Sequence, residues 1–480
     1  MHVKKFKLGY APTRRFVFSA EDALRYKAAI RQKMESFGLD IDIADLEGLN
    51  SEGLLYDDHM NAELIAAHLK KEEIDAVFFP HCNFGTEDTV ARVGKALGKP
   101  VLLWGPRDEA PLEDGMRLRD TQCGLFATGK VLRRFNVPFT YITNSRVDDP
   151  VFERGFTNFV AAANVVRKFR SLRILQIGPR PHSFWSMMCN EGELLERFGI
   201  ELHPITLIDI QNASKRIEKG NSPELAAAID YIKAKLDWSK VTEDDVRRIA
   251  ALKVAMRQYA DRSGSSAIAI QCWSSLQDAM GIMPCLANAI LTDEQIPVTC
   301  ETDIHGAITS IMVQAATMNT APTFFADLTI RHPENPNGEL LFHCGNFPVS
   351  LSVEDKPKLR KHFLFDAHAP GTHEGEIKGS EQMTIARFDG DHGEYRLFLG
   401  KARGIQGPYT RGSYVWVEVN DWPLWEETLV KGPYVHHAVG IHANAIPALY
   451  EACNYIPGLT PDPVDPSEKE IQAWLRGAGL

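Results

Sequence analysis

The alternation of short apolar runs with longer helical patterns constrains the fold of the first 300 residues more than any other feature. The apolar run at residues 74–79 follows a helically spaced segment at residues 62–69. A second helical pattern at residues 87–97 precedes the apolar run at residues 101–104. Strands that alternate with crossover helices predict a parallel sheet with helices on both faces. The first part of the chain is therefore expected to be α/β.

The same rhythm starts again after a long predicted helix at residues 151–170. This second series contains four apolar runs, at residues 172–178, 202–207, 267–271 and 297–300. After about residue 320 the pattern changes to short alternating strands punctuated by Gly and Pro, which predicts an antiparallel barrel or sandwich. These strands are predicted at residues 381–388, 394–399 and 414–419. A helix is predicted at residues 437–455, then a turn-rich linker at 461–466 and one last helix.

Composition excludes several classes of protein and of partner. The 480 residues are 44% hydrophobic and 24% charged, which is typical of a globular chain and excludes a disordered or collagen-like one. The net charge of −10 disfavours a nucleic-acid partner. No apolar segment is long enough to predict a membrane helix, and no signal core follows the basic N-terminus. Because the eight cysteines form no CxxC pair, they predict reduced thiols in a cytoplasmic protein.

The first candidate site residue is Glu301, at the end of the predicted strand 297–300. Ligands of α/β sheets bind at the carboxyl ends of strands, so Glu301 is well placed for chemistry. Asp303 opens the next helix, whose apolar residues have helical spacing. Both acids also suit the positive end of the helix dipole. For Asp303 this structural role is the preferred interpretation. For Glu301 the structural role and a role in catalysis are both kept.

The second candidate is a carboxylate and a histidine on a predicted hairpin at residues 324–343. Its loop is rich in Pro, Asn and Gly. Pairing Leu328 with Phe342 brings apolar residues together and places Asp327 opposite His343 on the other face. Cβ atoms of such a pair lie about 4.5–5.5 Å apart, close enough to share one cation. A simple hydrogen-bonded pair is the alternative.

The third candidate is the doublet His436–His437, which follows a Gly-Pro pair and is expected at a helix start. It offers a further metal ligand, although a doublet by itself is weak support. Signatures of other chemistries are missing from the sequence: it has no Walker A loop, no GxGxxG after a strand, no GxSxG elbow and no HExxH helix.

Aromatic and polar residues at two other strand ends are candidates for the substrate pocket. Gln271 and Trp273 end the strand predicted at residues 267–271, and Trp273 could stack on a sugar. His182, Phe184 and Trp185 follow the strand at residues 172–178, and His436 of the doublet is a further candidate for the pocket. A buried core aromatic is the alternative role for each ring.

With these motifs in view, the chain resembles the L-fucose/L-arabinose isomerase superfamily of metal-dependent aldose–ketose isomerases. The resemblance is specific between about residues 298 and 445. Glu301 matches the family's Glu-x-Asp motif, and Asp327 its Phe-x-(Asp/Glu) strand. His343 matches the histidine ligand of the arabinose branch, and His437 the second histidine of the C-terminal doublet. Asp at position 327 is similar to the fucose branch, so the sugar stays open.

The resemblance implies a fold, a metal and an assembly. It implies two Rossmann-like α/β domains, residues 1–165 and 166–318, followed by a β-rich, barrel-like domain at 319–480. It implies that Glu301, Asp327, His343 and His437 hold a divalent cation and that the two carboxylates act as acid and base. Oxygen and nitrogen ligands suit Mn²⁺, with Co²⁺ or Mg²⁺ as alternatives. Family members are homo-oligomers, often hexamers.

The reaction expected from the resemblance is isomerisation of a free, fucose- or arabinose-like sugar through a cis-enediol. Two rival functions stand beside it. One is a non-enzymatic sugar-binding protein, since two α/β lobes also describe sugar receptors. The other is a metal-dependent aldolase or epimerase that uses the same enediolate chemistry. Product analysis separates them, because isomerisation conserves the number of carbons and yields a ketose.

Overall fold

The structure is a computed structural model and describes residues 5–56, 58–364 and 368–479. The chain forms two compact units. One contains the residues up to Arg167 together with Glu451–Pro457 and the residues from Glu468 onward, and the other contains Lys168–Tyr450 and Gly458–Ser467. Within the described ranges, no helix is both long and apolar enough to cross a membrane. The predicted division into three domains stays a prediction.

The first unit is built on a five-stranded parallel sheet in the order β2-β1-β3-β4-β5. The strands are β1 Phe6–Tyr10, β2 Ile41–Ala44, β3 Ala76–Pro80, β4 Val101–Trp104 and β5 Phe139–Tyr141. The helices are α1 Ala20–Ser36, α2 His59–Lys71, α3 Glu87–Leu97, α4 Thr121–Arg134 and α5 Pro150–Arg170. Every residue of β3 and β4 is buried, as expected for parallel strands that are covered on both faces.

The second unit begins with a four-stranded parallel sheet in the order β7-β6-β8-β9. Its strands are β6 Arg173–Ile177, β7 Glu201–Ile205, β8 Ala267–Ile270 and β9 Val298–Thr299. Its helices are α6 Glu191–Phe198, α7 Leu207–Lys219, α8 Pro223–Lys235, α9 Glu243–Ser263, α10 Ser275–Met280, α11 Cys285–Asp293 and α12 Ile304–Ala316. Since β6, β8 and β9 are neighbours and parallel, their carboxyl ends meet at one edge of the sheet.

A nine-stranded, mainly antiparallel sheet forms the rest of this unit, in the order β12-β13-β16-β11-β10-β17-β14-β15-β18. The strands are β10 Phe324–Arg331, β11 Gly338–His343, β12 Lys358–Lys361, β13 Pro370–Glu376, β14 Met383–Asp391, β15 Glu394–Ile405, β16 Ser413–Glu418, β17 His437–Ile441 and β18 Leu459–Asp465. The last helices of the chain are α13 Trp422–Lys431, α14 Ile446–Cys453 and α15 Glu468–Leu475. An additional β15–β16 pairing closes six strands into a barrel. The predicted fold class, α/β followed by a β-rich barrel, is confirmed.

Two predictions for the C-terminal part are wrong. The predicted helix at 437–455 is instead the strand β17 followed by α14. All five residues of β17 are buried between β10 and β14, and those neighbours supply its backbone partners. The predicted linker at 461–466 is the strand β18, which pairs in parallel with β15. It lies at the edge of the sheet, where proline is tolerated.

The predicted register of the hairpin is also wrong by one residue. Leu328 pairs with Leu341, and Asp327 pairs with Phe342 rather than with His343. A bulge between Leu328 and Arg331 shifts the register, and a shift of one residue exchanges the two faces of a strand. On its other side, Asp327 lies directly opposite His437.

Candidate active site

Glu301 lies in a sharp turn between β9 and α12. Glu301 and Thr302 both have a φ of 56°, in the left-handed region that disfavours residues with a side chain, above all a β-branched one. The turn is held by hydrogen bonds that Thr302 donates, from its N–H to the oxygen of Ile270 (3.1 Å) and from its hydroxyl to the oxygen of Pro179 (3.1 Å). Two such residues in a row cost about 1–3 kcal/mol each, which is typical of functional sites.

The two oxygens of the Glu301 carboxylate have different surroundings. Oε1 accepts hydrogen bonds from Cys272 Sγ at 3.2 Å and from Trp273 Nε1 at 3.0 Å. Oε2 faces the Nε2 atoms of His343 at 3.6 Å and His437 at 3.7 Å, and it has no hydrogen-bond partner among the described residues. Burial raises the pKa of Glu301, but His343 and His437 outweigh it and lower that pKa to about 2. The carboxylate is therefore ionised.

The pairing of β10 with β17 places Asp327 next to His343 and His437. Its Oδ1 atom lies 3.3 Å from Nε2 of His437 and 4.0 Å from Nε2 of His343. Like Glu301 Oε2, this oxygen is buried without a hydrogen-bond partner in the described part of the chain. The four residues predicted to hold a metal are thus brought together, two carboxylates and two imidazoles.

Asp303 supports the site as well as opening α12. Its Oδ1 accepts the N–H of Gly306 at 2.8 Å and so caps α12, at the positive end of the helix dipole where the sequence predicts it. Its Oδ2 accepts from Nδ1 of His437 at 2.9 Å, which fixes the ring and leaves Nε2 directed at the carboxylates. Arg387 donates to both oxygens of Asp303. Burial opposes ionisation, but the charges of Arg387 and His437 hold the pKa of Asp303 far below its usual value.

The contact between Arg387 and Asp303 is part of a longer chain of buried charges. Arg387 donates its Nε–H to Asp389 at 2.8 Å, and Nδ1 of His305 lies 2.7 Å from the other oxygen of Asp389. Sequence reasoning missed this chain, because α12 and β14 are 84 residues apart at these contacts. The available signal was the pair Arg387 and Asp389 two residues apart in an otherwise apolar strand.

The donor atoms fit a divalent cation. Octahedral ligands at about 2.1 Å from a cation lie about 3 Å apart when adjacent and about 4.2 Å apart when opposite. The 3.3–4.0 Å separations from Nε2 of His343 and His437 to the carboxylate oxygens fall in this range. The ligating atoms of Glu301, His343 and His437 lie within 4.8 Å of one another, and so do those of Asp327, His436 and His437.

The two histidines differ at their second nitrogen. His437 presents Nδ1 to a carboxylate, the usual arrangement of a histidine that binds a metal through Nε2. His343 accepts the N–H of Cys344 at its Nδ1 (2.8 Å), so in the neutral ring the proton lies on Nε2 and faces the two carboxylates. Binding a cation there requires that this proton leave Nε2.

The predicted substrate residues separate into two groups. Trp273 borders the site, through its hydrogen bond to Glu301, and its ring contacts Phe184 at 5.2 Å. Phe184 also contacts the ring of His436 at 6.1 Å. Trp185 is 69% exposed and has no aromatic contact among the described residues. Gln271 is buried and packs against Gly178. Of the two candidate rings after β6, Phe184 rather than Trp185 borders the site.

Comparison with known proteins shows what the chain is similar to. Residues 9–170 match the family model described as fucose/sulfoquinovose isomerase, N-terminal domain. A sulfoquinovose isomerase of Priestia megaterium (strain ATCC 12872 / QMB1551) is 24% identical over 361 residues, which are 73% of this chain and 77% of that protein. The sulfoquinovose isomerase of Alkalicoccus urumqiensis is 25% identical over 391 residues, 78% of this chain and 83% of that protein.

A third relative, the sulfoquinovose isomerase of Clostridium sp. (strain MSTE9), is 26% identical over 312 residues, 64% of this chain and 68% of that protein. All three are isomerases by name, which confirms the enzyme class predicted from the sequence. The family model and these relatives agree with the resemblance found in the motifs around Glu301 and His437. The chain is therefore similar to the fucose isomerase-like family, through the family model over residues 9–170 and through these relatives.

Proposed function

We propose that the protein is a metal-dependent aldose–ketose isomerase that acts on a free sugar. The observation that carries this proposal is the pair of carboxylate oxygens, Glu301 Oε2 and Asp327 Oδ1. Both lie without a hydrogen-bond partner among the described residues, and both face the same two imidazoles. Leaving two such acceptors in a buried site is costly unless a ligand engages them.

The chemistry that these residues supply is proton transfer. Moving a carbonyl from C1 to C2 removes a proton from C2 and returns one to C1, through a cis-enediol. One of Glu301 and Asp327 takes the C2 proton and returns it to C1, while the other donates a proton to O1 and takes one from O2. Each such transfer contributes typically about 10²–10⁴-fold to the rate. Cys272 and Trp273 hold Glu301 in place by donating to its other oxygen.

Glu301, Asp327, His343 and His437 are proposed to hold the cation, with Mn²⁺ favoured and Co²⁺ or Mg²⁺ as alternatives. When bound, such an ion would supply Lewis-acid chemistry to the oxygens on the two carbons between which the proton moves. Asp303 keeps His437 in the orientation that this requires.

The substrate is proposed to be fucose- or arabinose-like, as the motifs imply, with sulfoquinovose as the second candidate because three relatives carry that name. Trp273 and Phe184 provide the aromatic wall on which the apolar face of a sugar can pack. A homo-oligomer, often a hexamer in the family, is proposed on the resemblance alone and is tested by light scattering.

The test is a panel of aldoses, sulfoquinovose included, assayed for ketose formation. The metal-stripped protein is supplied with one cation at a time. We expect a ketose with the same number of carbons from one aldose, and no turnover by Glu301→Gln, which keeps the fold. Binding without turnover would favour a sugar-binding protein, and a change of carbon number or an epimer would favour the aldolase or epimerase. A fully active Glu301→Gln variant would remove the catalytic assignment.

A further inference from the structure

Two buried cysteines flank the side of Glu301 that is turned away from the histidines. Cys272 follows β8 and Cys300 follows β9, and these two strands are neighbours in the parallel sheet. The Sγ atom of Cys272 lies 3.2 Å from Oε1 of Glu301. The two sulfurs and a carboxylate oxygen of Glu301 all lie within 4.8 Å of one another. The cluster is therefore fixed by the sheet and by the turn after β9.

These three groups have the chemistry and spacing of a site for a thiophilic cation. Thiolate sulfur is a soft ligand that favours Zn²⁺ and similar ions over Mn²⁺ or Mg²⁺. A tetrahedral zinc ion binds sulfur at about 2.3 Å and oxygen at about 2.1 Å, which places sulfur and oxygen about 3.6 Å apart and two sulfurs about 3.8 Å apart. The distance of 3.2 Å from Cys272 Sγ to Glu301 Oε1 is close to the first of these values, and the other separations are at most 4.8 Å.

The hydrogen bond from Cys272 lowers the pKa of Cys300, but burial and the charge of Glu301 outweigh it and raise that pKa to about 12, so the thiol is protonated when no ion is bound. The side-chain amides of Asn288 and Asn346 donate to its Sγ atom at 3.5 and 3.6 Å. Both asparagines are almost completely buried, and their Oδ1 atoms have no hydrogen-bond partner within the described ranges. Donors of this kind offset part of the cost of a buried thiolate. The cluster itself is buried, since Cys272, Cys300 and Glu301 are each at most 5% exposed.

We propose that Cys272, Cys300 and Glu301 form a second cation site, selective for thiophilic divalent ions such as Zn²⁺ and Cd²⁺. Binding exchanges two thiol protons, released to solvent, for one cation. Glu301 contributes Oε1 to this site and Oε2 to the site with the histidines. A consequence that rests on the proposed function is that an ion on the sulfurs inhibits isomerisation, because it binds the carboxylate that takes part in proton transfer.

Cadmium titration of the metal-stripped protein tests the site without any need for activity. We expect a sulfur-to-cadmium charge-transfer band in the ultraviolet that saturates with one thiolate-bound ion per chain. The Cys300→Ser variant is expected to lose most of this band. Cys82→Ser, a buried thiol in the other unit, and Cys123→Ser, an exposed one, are matched controls that are expected to keep it. A band that survives in Cys300→Ser, or no band in the wild type, overturns the proposal.

X-ray absorption of the zinc-loaded wild type is a second measurement that does not depend on how a variant folds. A shell of two sulfurs at about 2.3 Å is the expected result, and a shell of oxygen and nitrogen alone overturns the site. In the enzyme assay, excess Zn²⁺ is expected to inhibit the wild type more than Cys300→Ser. Thiolate binding without inhibition would keep the cation site and overturn its link to isomerisation, whereas inactivity toward every aldose would count against the proposed function only.

Discussion

Replacement of Arg387 by methionine is expected to destabilise the second unit more than the loss of any surface ion pair. Arg387 is 1% exposed, and it donates to two carboxylates, Asp303 and Asp389, that are themselves buried. Methionine has a similar length and fills most of the same volume. The substitution therefore removes the positive charge and its hydrogen bonds while it leaves both negative charges in place.

The expected magnitude follows from these contacts. Breaking a buried ion pair by removing one partner costs about 3–5 kcal/mol, because the remaining charge is left uncompensated. With about 2–4 °C per kcal/mol for a large domain, the unfolding midpoint should fall by about 6–20 °C. Neutralising all three groups together, with Asp303→Asn and Asp389→Asn added, should recover at least half of this loss, since well-packed neutral groups carry no charge penalty.

The assay is thermal unfolding of the metal-stripped protein at neutral pH. Arg257→Met is the matched control, because Arg257 pairs with Asp261 at 3.0 Å on a partly exposed helix face, and such pairs contribute about 0.5 kcal/mol. If the unfolding midpoint of Arg387→Met falls by no more than that of Arg257→Met, the reasoning is refuted. A triple variant no more stable than the single one would show that packing, and not charge, is what Arg387 supplies.

Three further predictions concern single side chains. Asp303→Asn should lower the affinity for Mn²⁺ about 10–100-fold in calorimetry, because His437 loses its charged partner, and an unchanged affinity would contradict that role. Trp273→Phe removes a donor to the Glu301 carboxylate and should lower kcat about 10–100-fold. Trp185→Phe, at an exposed position, is the control, and equal kcat values for the two variants would exclude a role for this hydrogen bond. Burial raises the pKa of Glu339 to about 7, compared with about 4.3 in the unfolded chain. Between these two pH values the folded protein binds one proton more than the unfolded chain does, so its stability falls as the pH rises from about 4.3 to about 7. Glu339→Gln should therefore unfold at a higher temperature than the wild type at pH 8 but not at pH 4, which a scan at both pH values checks.

The parts of the fold that could be predicted are those set by local pattern. Helix α3 and strand β4 lie at the predicted residues, because amphipathic spacing and a short apolar run each identify one kind of element. The prediction of a helix from His437 was wrong because the five residues of β17 are apolar enough for either a helix or a strand. Their burial between β10 and β14 is what favours the strand. The bulge after Leu328 leaves no signal in the alternation of the hairpin.

The candidate site shows the same limit. Glu301, Asp327, His343 and His437 were found because each stands in a short motif. The structure then brings them together, although their roles stay proposals. For Asp303 the sequence predicts only a role at the helix dipole. Its contacts with Arg387 and His437 join residues that are 84 and 134 positions apart in the sequence. Contacts of that span depend on which strands become neighbours, and local sequence carries little information about this.

The closed barrel has a consequence for how such a protein could change its substrate. Asp327 and His437 are opposite residues on adjacent strands of a closed ring, so their spacing is set by the hydrogen-bonded ladder and cannot slip without breaking the ring. Phe184 stands on a turn outside the barrel, where exchange or insertion disturbs no ladder, whereas Trp273 donates to Glu301 and has to be kept. New sugars could thus be accommodated by altering the turn around Phe184 alone, with the proton-transfer groups left untouched.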